Sequence, residues 1–371
     1  MIPTPYELRH ALHSYPELAF EEIKTTQLLE SSIDEIARFY QVDLKIYKPL
    51  STGLVVEYSY GENNDEYILF RADIDALNIK EQTDIKFKSK NEYMHACGHD
   101  VHTSILYGLL LDVVKNRIKK NIIFLFQPAE ESKGGAEKII ESKFLDRYNI
   151  KKAFALHVTD EYPFGTVATT RGVMFASSME IIVTFEGEAS HLAFPQYSKN
   201  ALNALRLFLD CLDKIPRDPM IPFIFGIGKV SAGRAINIVP DEAKLEGSVR
   251  SVSSEINLEY FQTLKNILEG ILLITKVSYK LDRGSFYVEV ENDKELYDNY
   301  VTVLSQKFDV VDCGMKMTAE DFGFISKKYP SLMCWLGTSK GKKFGLHSPK
   351  FLPDDDSIDL GIKLFKTFLE M

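Results

Sequence analysis

The chain has 371 residues, of which 45% are hydrophobic and 26% charged, and its formal net charge is −9 with a pI near 5.5. This length suits two domains, and the acidic balance disfavours a nucleic-acid-binding protein, which normally carries a basic face. No signal peptide and no run of roughly 18 apolar residues is visible, and the four cysteines show no paired spacing. We therefore expect a soluble cytoplasmic protein that binds neither nucleic acid nor membrane.

In the first half of the chain, segments with helical periodicity alternate with short apolar runs. The predicted helices are residues 21–40, 101–114 and 135–148. The predicted strands are residues 67–71, 121–127 and 153–158. Strands that alternate with helices indicate an α/β fold, with a mostly parallel mixed sheet covered by helices on both faces.

Each of these three strands is apolar until its carboxyl end and then delivers polar side chains. The residues at these ends are Asp73 and Asp75, then Glu130 and Glu131, then His157. Open α/β sheets place their sites at the carboxyl ends of the strands. This edge of the sheet is therefore the first indication of a catalytic site.

From about residue 174 the order of predicted elements becomes β-α-β-β-α-β, which is typical of a ferredoxin-like unit. Helices predicted at 295–307, 321–328 and 357–369, with a strand at 332–336, then complete the first domain. We expect residues 1–173 and 286–371 to form a catalytic metal-binding domain. Residues 174–285 would form an inserted lid or dimerisation domain.

The densest cluster of metal-ligand types is HACGHDVH, residues 95–102. Thiolate and imidazole are preferred ligands of Zn²⁺ and related ions, and Cys97 and His99 could present both from one turn. The alternative is a free cysteine with histidines packed at the start of a helix. Glu130 and Glu131 could equally face solvent, and His157 and His347 could be structural histidines. Only their convergence favours a dinuclear hydrolase, in which one carboxylate binds metal and the other moves protons.

The segments RADIDAL, MHACGHDVHT, QPAEESKGGAE, ALHV, TAEDFG and GLHSP occur in that order along the chain. Together they resemble the metallo-amidohydrolases that include hippurate hydrolases and plant auxin-conjugate hydrolases, from LHSYPELAFEE at residues 12–22 to the last helix. The segments KEQTDIKF (residues 80–87) and YPSLMCWLG (residues 329–337) look closest to the bacterial branch that deacetylates N-acetyl-L,L-diaminopimelate.

The resemblance implies a role for each matching residue. The implied ligands of two divalent ions (Zn²⁺, Mn²⁺, Co²⁺ or Ni²⁺) are Cys97, His99, Glu131, His157 and His347. Glu130 falls on the position of the general base. Asp73 or Asp75 would orient a ligand or tune that base, and the sequence leaves both open.

Three residues of the inserted domain also match the family. His191 falls on the position of a histidine that reaches a neighbouring active site and polarises the scissile carbonyl, which implies a homodimer or a tetramer. Its alternative is a surface-loop histidine, and Glu188-Ala189-Ser190 replaces the usual glycines nearby. Asn237 and Arg250 resemble residues that contact the substrate, although Arg250 could be a surface arginine at a strand end.

The function implied is metal-dependent hydrolysis of N-acetyl-L,L-diaminopimelate to L,L-diaminopimelate and acetate, on the route to lysine. The alternatives are a general N-acyl-amino-acid hydrolase, a peptidase, and a non-catalytic relative that binds metal or an acyl amino acid. The presence of Glu130 and of all five ligand types disfavours the non-catalytic relative.

Overall fold

A computed structural model describes residues 2–61 and 65–370, and these divide into two compact units. Unit 1 takes in the described residues up to Met174, then Val290–Lys316, then Glu320 onwards. Unit 2 takes in Phe175–Glu289 and Met317–Ala319, whereas the range predicted for the inserted domain is 174–285. The difference at the second boundary arises because the last strand of unit 2 continues to Tyr287.

The connections between helices and strands differ in length, and the longest, between β3 and α3, spans residues 74–98. In chain order, the helices of the described residues are α1 (Pro5–Ser14), α2 (Ile23–Tyr40), α3 (His99–Asn116), α4 (Gly135–Glu141), α5 (Ala201–Leu212), α6 (Ser254–Thr275), α7 (Lys294–Lys307), α8 (Gly323–Ser326) and α9 (Asp356–Glu370). The strands are β1 (Leu44–Tyr47), β2 (Leu54–Tyr58), β3 (Glu66–Asp73), β4 (Asn121–Gln127), β5 (Asn149–Pro163), β6 (Thr166–Thr169), β7 (Gly172–Phe175), β8 (Ser177–Glu186), β9 (Phe223–Ala232), β10 (Glu242–Ser251), β11 (Ser278–Tyr287), β12 (Val290–Asn292), β13 (Asp309–Asp312) and β14 (Ser331–Ser339). Within the described part of the chain, each helix is too short or too polar to cross a membrane.

Unit 1 contains a mixed sheet of eight described strands in the order β1-β2-β4-β3-β5-β14-β6-β13. The four central strands, β4, β3, β5 and β14, are parallel to one another. The pairs β1–β2, β2–β4 and β14–β6 are antiparallel. Every residue of β4 is buried, so both faces of the sheet are covered there. The predicted mostly parallel sheet with helices is confirmed.

Unit 2 is a four-stranded antiparallel sheet in the order β11-β8-β10-β9. Strand β8 buries alternate residues, Met179, Ile181, Val183 and Phe185, because successive side chains of a strand point to opposite faces. These residues form one core with the apolar faces of α5 and α6. The predicted β-α-β-β-α-β order is confirmed, with α5 and α6 as its two helices.

Two predicted helices are shorter in the structure. The helix predicted at 135–148 ends at Glu141, and Phe144–Arg147 forms a separate 3₁₀ turn. Lys143, with a φ of 57°, adopts the left-handed conformation that interrupts a right-handed helix. The helix predicted at 321–328 shrinks to α8, because Asp321 and its neighbours are held in a turn by buried ion pairs described below.

Candidate metal centre

The predicted ligands of unit 1 come together from the segment after β4, the middle of β5, the start of α3 and the segment between β14 and α9. The Sγ atom of Cys97 lies 3.4 Å from Nε2 of His157 and 3.4 Å from Nε2 of His347. Nε2 of His347 lies 3.4 Å from Oε1 of Glu131, and Nε2 of His99 lies 3.8 Å from the same oxygen. All five predicted ligand residues therefore share one cluster.

The predicted base lies at the same cluster. An Oε2 of Glu130 is 3.9 Å from Nε2 of His99. Potential ligand atoms of His99, Glu130 and Glu131 lie within 4.8 Å of one another, as do those of Cys97, His99 and His157 and those of Cys97, Glu131 and His347. Glu130 and Cys97 are 7% and 6% exposed, whereas the side chain of His347 is 53% exposed, so the cluster is buried except on the side of His347.

Two backbone conformations shape the ligand turns. Gly98 has a φ of 88°, and a Cβ atom there would lie 2.4 Å from a methyl group of Val158, so only glycine fits between Cys97 and His99. His347 has a φ of 63°, which is uncommon for a residue with a side chain, and its N–H donates to the carbonyl of Ala96 at 2.9 Å. Such strained conformations concentrate at functional sites.

Asp75 and Asp73 make different contacts. Nδ1 of His99 lies 3.0 Å from the carbonyl oxygen of Asp75 and 3.2 Å from its Oδ1, so Nδ1 carries the proton and Nε2 presents a lone pair. The other oxygen of Asp75 accepts the N–H of Glu131 at 3.0 Å. Asp73 instead contacts Nδ1 of His102 at 2.6 Å and accepts from Nη1 of Arg71 at 2.7 Å. Asp75 is therefore the carboxylate that orients two of the predicted ligands.

The buried atoms of the cluster have the chemistry of cation ligands. Nε2 of His99 is buried and has no hydrogen-bond partner among the described residues. Burial, together with the carboxylates of Glu131 and Glu130, raises the pKa of the Cys97 thiol well above its usual value. Burial, and then the carboxylates of Glu320 and Glu131, raise the pKa of Glu130. An orphaned imidazole lone pair beside crowded anionic groups fits divalent cations, which bind the thiolate and offset the repulsion.

A buried ion-pair network behind Glu130 was not predicted. The guanidinium of Arg71, 1% exposed as a residue, donates to Asp73, to Glu320 at 2.9 Å and to Asp321 at 2.8 Å. The TAEDFG motif contains both of these acids, and the arginine ends the apolar run YILFR. A charged residue inside a buried strand is the one sequence signal that could have indicated this network.

A second unpredicted network holds α1 against the ligand turn. Asp100, which follows the predicted ligand His99, accepts from Nε of Arg9 at 3.0 Å and lies 2.9 Å from Nδ1 of His13. Burial alone would lower the pKa of His13, but the charge and hydrogen bond of Asp100 outweigh it and raise the pKa to about 9. All three side chains are 1% exposed, so this network fixes the start of α3.

In unit 2 the structure places His191 beside Asn237. The N–H of Leu192 donates to the carbonyl of Asn237 at 2.9 Å. His191 and Asn237 are both exposed. Nδ1 of His191 accepts the N–H of Ala193 at 3.1 Å, so the proton of the neutral ring is on Nε2 and can be donated. Arg250 lies elsewhere in the unit, where Nη1 donates to the carbonyl of Met317 at 2.7 Å.

The chain is similar to proteins of known family. The model of peptidase family M20/M25/M40 matches residues 69–371. The N-acetyldiaminopimelate deacetylase of Exiguobacterium sibiricum is 38% identical over 362 residues, which cover 96% of this chain and 96% of that protein. The N-acetyldiaminopimelate deacetylase of Bacillus subtilis is 34% identical over 370 residues, or 98% of this chain and 97% of that protein.

A solved structure has the same fold over almost the whole chain. The YXEP protein of Bacillus subtilis, described as a dinuclear metal binding peptidase from the M20 family, matches with a TM-score of 0.81 at 27% identity. The match covers 98% of this chain and 96% of that one.

Proposed function

The chain belongs to peptidase family M20/M25/M40, and from that premise we propose that it is a two-metal deacetylase of N-acetyl-L,L-diaminopimelate. Its products are L,L-diaminopimelate and acetate, on the route to lysine. The observation that carries the proposal is the convergence of five ligand side chains and the buried Glu130 on one sheet edge. The relatives named above, similar over nearly their whole length, support the choice of substrate.

The proposed metal ligands are Cys97, His99, Glu131, His157 and His347. Bound divalent ions supply a water of lowered pKa and polarise the amide carbonyl. One thiolate among nitrogen and oxygen donors suits Zn²⁺, Mn²⁺, Co²⁺ or Ni²⁺. Asp75 keeps the proton of His99 on Nδ1, so that Nε2 always faces the cluster.

Glu130 is the proposed base and acid. It accepts a proton from the attacking water and then donates that proton to the nitrogen of the leaving amine as the C–N bond breaks. Burial and the neighbouring carboxylates raise its pKa, which suits a carboxyl group that must hold a proton between the two steps.

His191 is the proposed donor to the oxyanion that forms on the amide carbonyl. Its Nε2–H is exposed, which is the state needed to donate to a substrate oxygen. We assign Asn237 and Arg250 to contacts with the substrate's carbonyl and carboxylate.

We propose that the protein is a homodimer in which His191 serves the partner's active site. Strand β9 is an edge strand of unit 2, and three of its apolar residues, Ile224, Ile227 and Val230, are 41–49% exposed. A long apolar edge strand is a ready template for pairing with another chain. A cytoplasmic location is supported by four cysteines without disulfides.

The test of the substrate is acetate release from N-acetyl-L,L-diaminopimelate, from N-acetylmethionine and, as benzoate release, from hippurate. A strong preference for the first substrate, abolished in Glu130→Gln, would support the proposal. Comparable rates on all three would instead identify a general N-acyl-amino-acid hydrolase. No release from any of them in metal-reconstituted protein would contradict an enzymatic role.

A further inference from the structure

The segment KEQTDIKF, residues 80–87, forms one wall of a groove in unit 1. Glu81 is 5% exposed and accepts from the backbone N–H of Ser89 at 2.7 Å and from the hydroxyl of Thr83. The oxygen that accepts from Thr83, Oε1, also lies 3.3 Å from Nε2 of His13. A loop built around a buried carboxylate in this way is preorganised rather than adaptable.

The opposite wall is residues 338–354, the end of β14 and the loop that follows it, which carries the proposed ligand His347. Asp160, 7% exposed, fixes this loop by accepting the backbone N–H groups of Phe344 at 2.5 Å and Gly345 at 3.0 Å. The N–H of Gln82 donates to the carbonyl of Pro349 at 2.8 Å and joins the two walls. Both walls are therefore held in place without a ligand.

The space between the walls has a volume of about 750 Å³. This size is typical of pockets that bind small molecules. Its apolar lining comes from five residues, Ile85, Phe344, Phe351, Leu352 and Pro353, of which Phe351 is only 1% exposed. The groove can therefore cover a short aliphatic chain.

Charges of opposite sign line the two walls. Asp84 stands on the first wall, and Lys342 and Lys350 stand on the second. None of the three forms an ion pair within residues 2–61 and 65–370. Lys340, by contrast, is paired with Asp354 at 3.1 Å. The arrangement is complementary to a ligand with one ammonium group and at least one carboxylate.

The groove lies close to the candidate metal centre along the chain. Asp160 follows the proposed ligand His157 by three residues of β5, which corresponds to about 10 Å of strand. Phe344 precedes the proposed ligand His347 by three residues and lies at most about 11 Å from it. A substrate of several carbons could span that separation.

We propose that this groove binds the ammonium and carboxylate of an α-amino acid carried on a short aliphatic chain. The ammonium faces Asp84, the carboxylate faces Lys342 and Lys350, and the chain lies on Phe344 and Leu352. The distal end of the proposed substrate has this chemistry, and in that form the inference rests on the proposed function. A free amino acid has the same chemistry and is the second source of such a ligand.

The test compares N-acetyl-L,L-diaminopimelate with N-acetyl-L-norleucine, which lacks the distal ammonium and carboxylate. The variants are Asp84→Asn and the double variant Lys342→Ala/Lys350→Ala, with Lys115→Ala, an exposed lysine of α3, as the matched control. We expect each groove variant to raise KM for the first substrate about tenfold. The preference for N-acetyl-L,L-diaminopimelate over N-acetyl-L-norleucine should fall by the same factor, and kcat should be retained. The control variant should keep the wild-type KM and the wild-type preference.

A calorimetric titration with L-norleucine, beside hexanoate as the probe that lacks the ammonium, identifies the source. Binding of L-norleucine that weakens in the groove variants, with the substrate preference kept, would show that a free amino acid is the ligand. The inference is wrong if the groove variants match the control in both experiments. If the wild type releases no acetate from N-acetyl-L,L-diaminopimelate, the proposed function fails and the titration still tests the groove.

Discussion

The proposed site residues of unit 1 are positioned by contacts within that unit, whereas two of those in unit 2 are exposed. In unit 1 the ligand atoms face one another, and Asp75 orients His99 through a hydrogen bond. In unit 2 His191 and Asn237 are exposed, and Arg250 donates to a backbone carbonyl. A metal centre must be preorganised to hold ions, whereas a group that contacts substrate must stay accessible until the substrate arrives.

This difference decides which site residues can act without a partner subunit. The buried cluster of unit 1 indicates its own chemistry, because crowded carboxylates and an orphaned imidazole nitrogen are costly unless a cation is bound. The exposed His191 is not a buried group that needs a cation, and its proposed role depends on the partner subunit. Variants of the first set should therefore affect chemistry or metal binding, and variants of the second set should affect chemistry only in the assembled protein.

The largest effect is expected for Glu130→Gln. Glutamine keeps the size of the side chain but can neither accept nor return the proton, so kcat should fall toward the 10⁴-fold end of the usual range of about 10²–10⁴. KM and metal content should change little, because Glu131 and not Glu130 is the proposed ligand. Steady-state kinetics and metal analysis of one preparation would check this, and near-normal turnover would remove Glu130 from the mechanism.

His191→Ala should lower kcat by about 10²–10³-fold, the usual effect of removing one donor to an oxyanion. If His191 serves the partner's site, an equal mixture of His191→Ala and Glu130→Gln chains should restore about a quarter of wild-type activity. About half of the dimers are then mixed, and one of the two sites in each mixed dimer is intact. Activity measured after the two variants have been mixed and have exchanged subunits would check this, with each variant alone as the control. A mixture that stays inactive would place His191 in the site of its own chain.

Asp75→Asn should weaken metal binding by about 10–100-fold. The amide can still accept from His99, but its NH₂ group would face the N–H of Glu131, where Asp75 now accepts. Competition with a chelator would measure the change in affinity. In Asp73→Asn the lost ion pair with Arg71 should instead lower the free energy of unfolding, and equal metal affinities in both variants would contradict this division of roles.

The smallest effect concerns pH and the network outside the metal cluster. The pKa of His13 is raised to about 9 in the folded protein, so its contribution to stability is complete below about pH 6.5 and is lost as the pH rises through 9. Each pH unit within this window should remove up to about 1.4 kcal/mol. Urea denaturation of wild type and His13→Gln at pH 6.5, 7.5 and 9 would check this. The difference in the free energy of unfolding between wild type and variant should shrink as the pH rises. A difference that stays constant would contradict the role of His13.

Much of unit 1 could be predicted because its strands carry local signals. Residues 121–127 form β4 as predicted and β3 ends at Asp73, but β5 continues past His157 to Pro163. The arginine in YILFR signals a buried charge, but the partners of Arg71 and of Asp100 could not be predicted, because they lie up to 250 positions away and share no local pattern with them. His347 could be placed only by resemblance, since its left-handed turn follows no periodic element.

The central claim is that two divalent ions bind at this cluster and make the chain an amidohydrolase. The most direct measurement is stepwise addition of Zn²⁺ or Mn²⁺ to chelator-treated protein while acetate release from N-acetyl-L,L-diaminopimelate is recorded. We predict no release before metal is added and a plateau at about two ions per chain, with no recovery in Cys97→Ser at the same metal concentration. Full activity without metal, or a plateau unaffected by loss of Cys97, would contradict the claim.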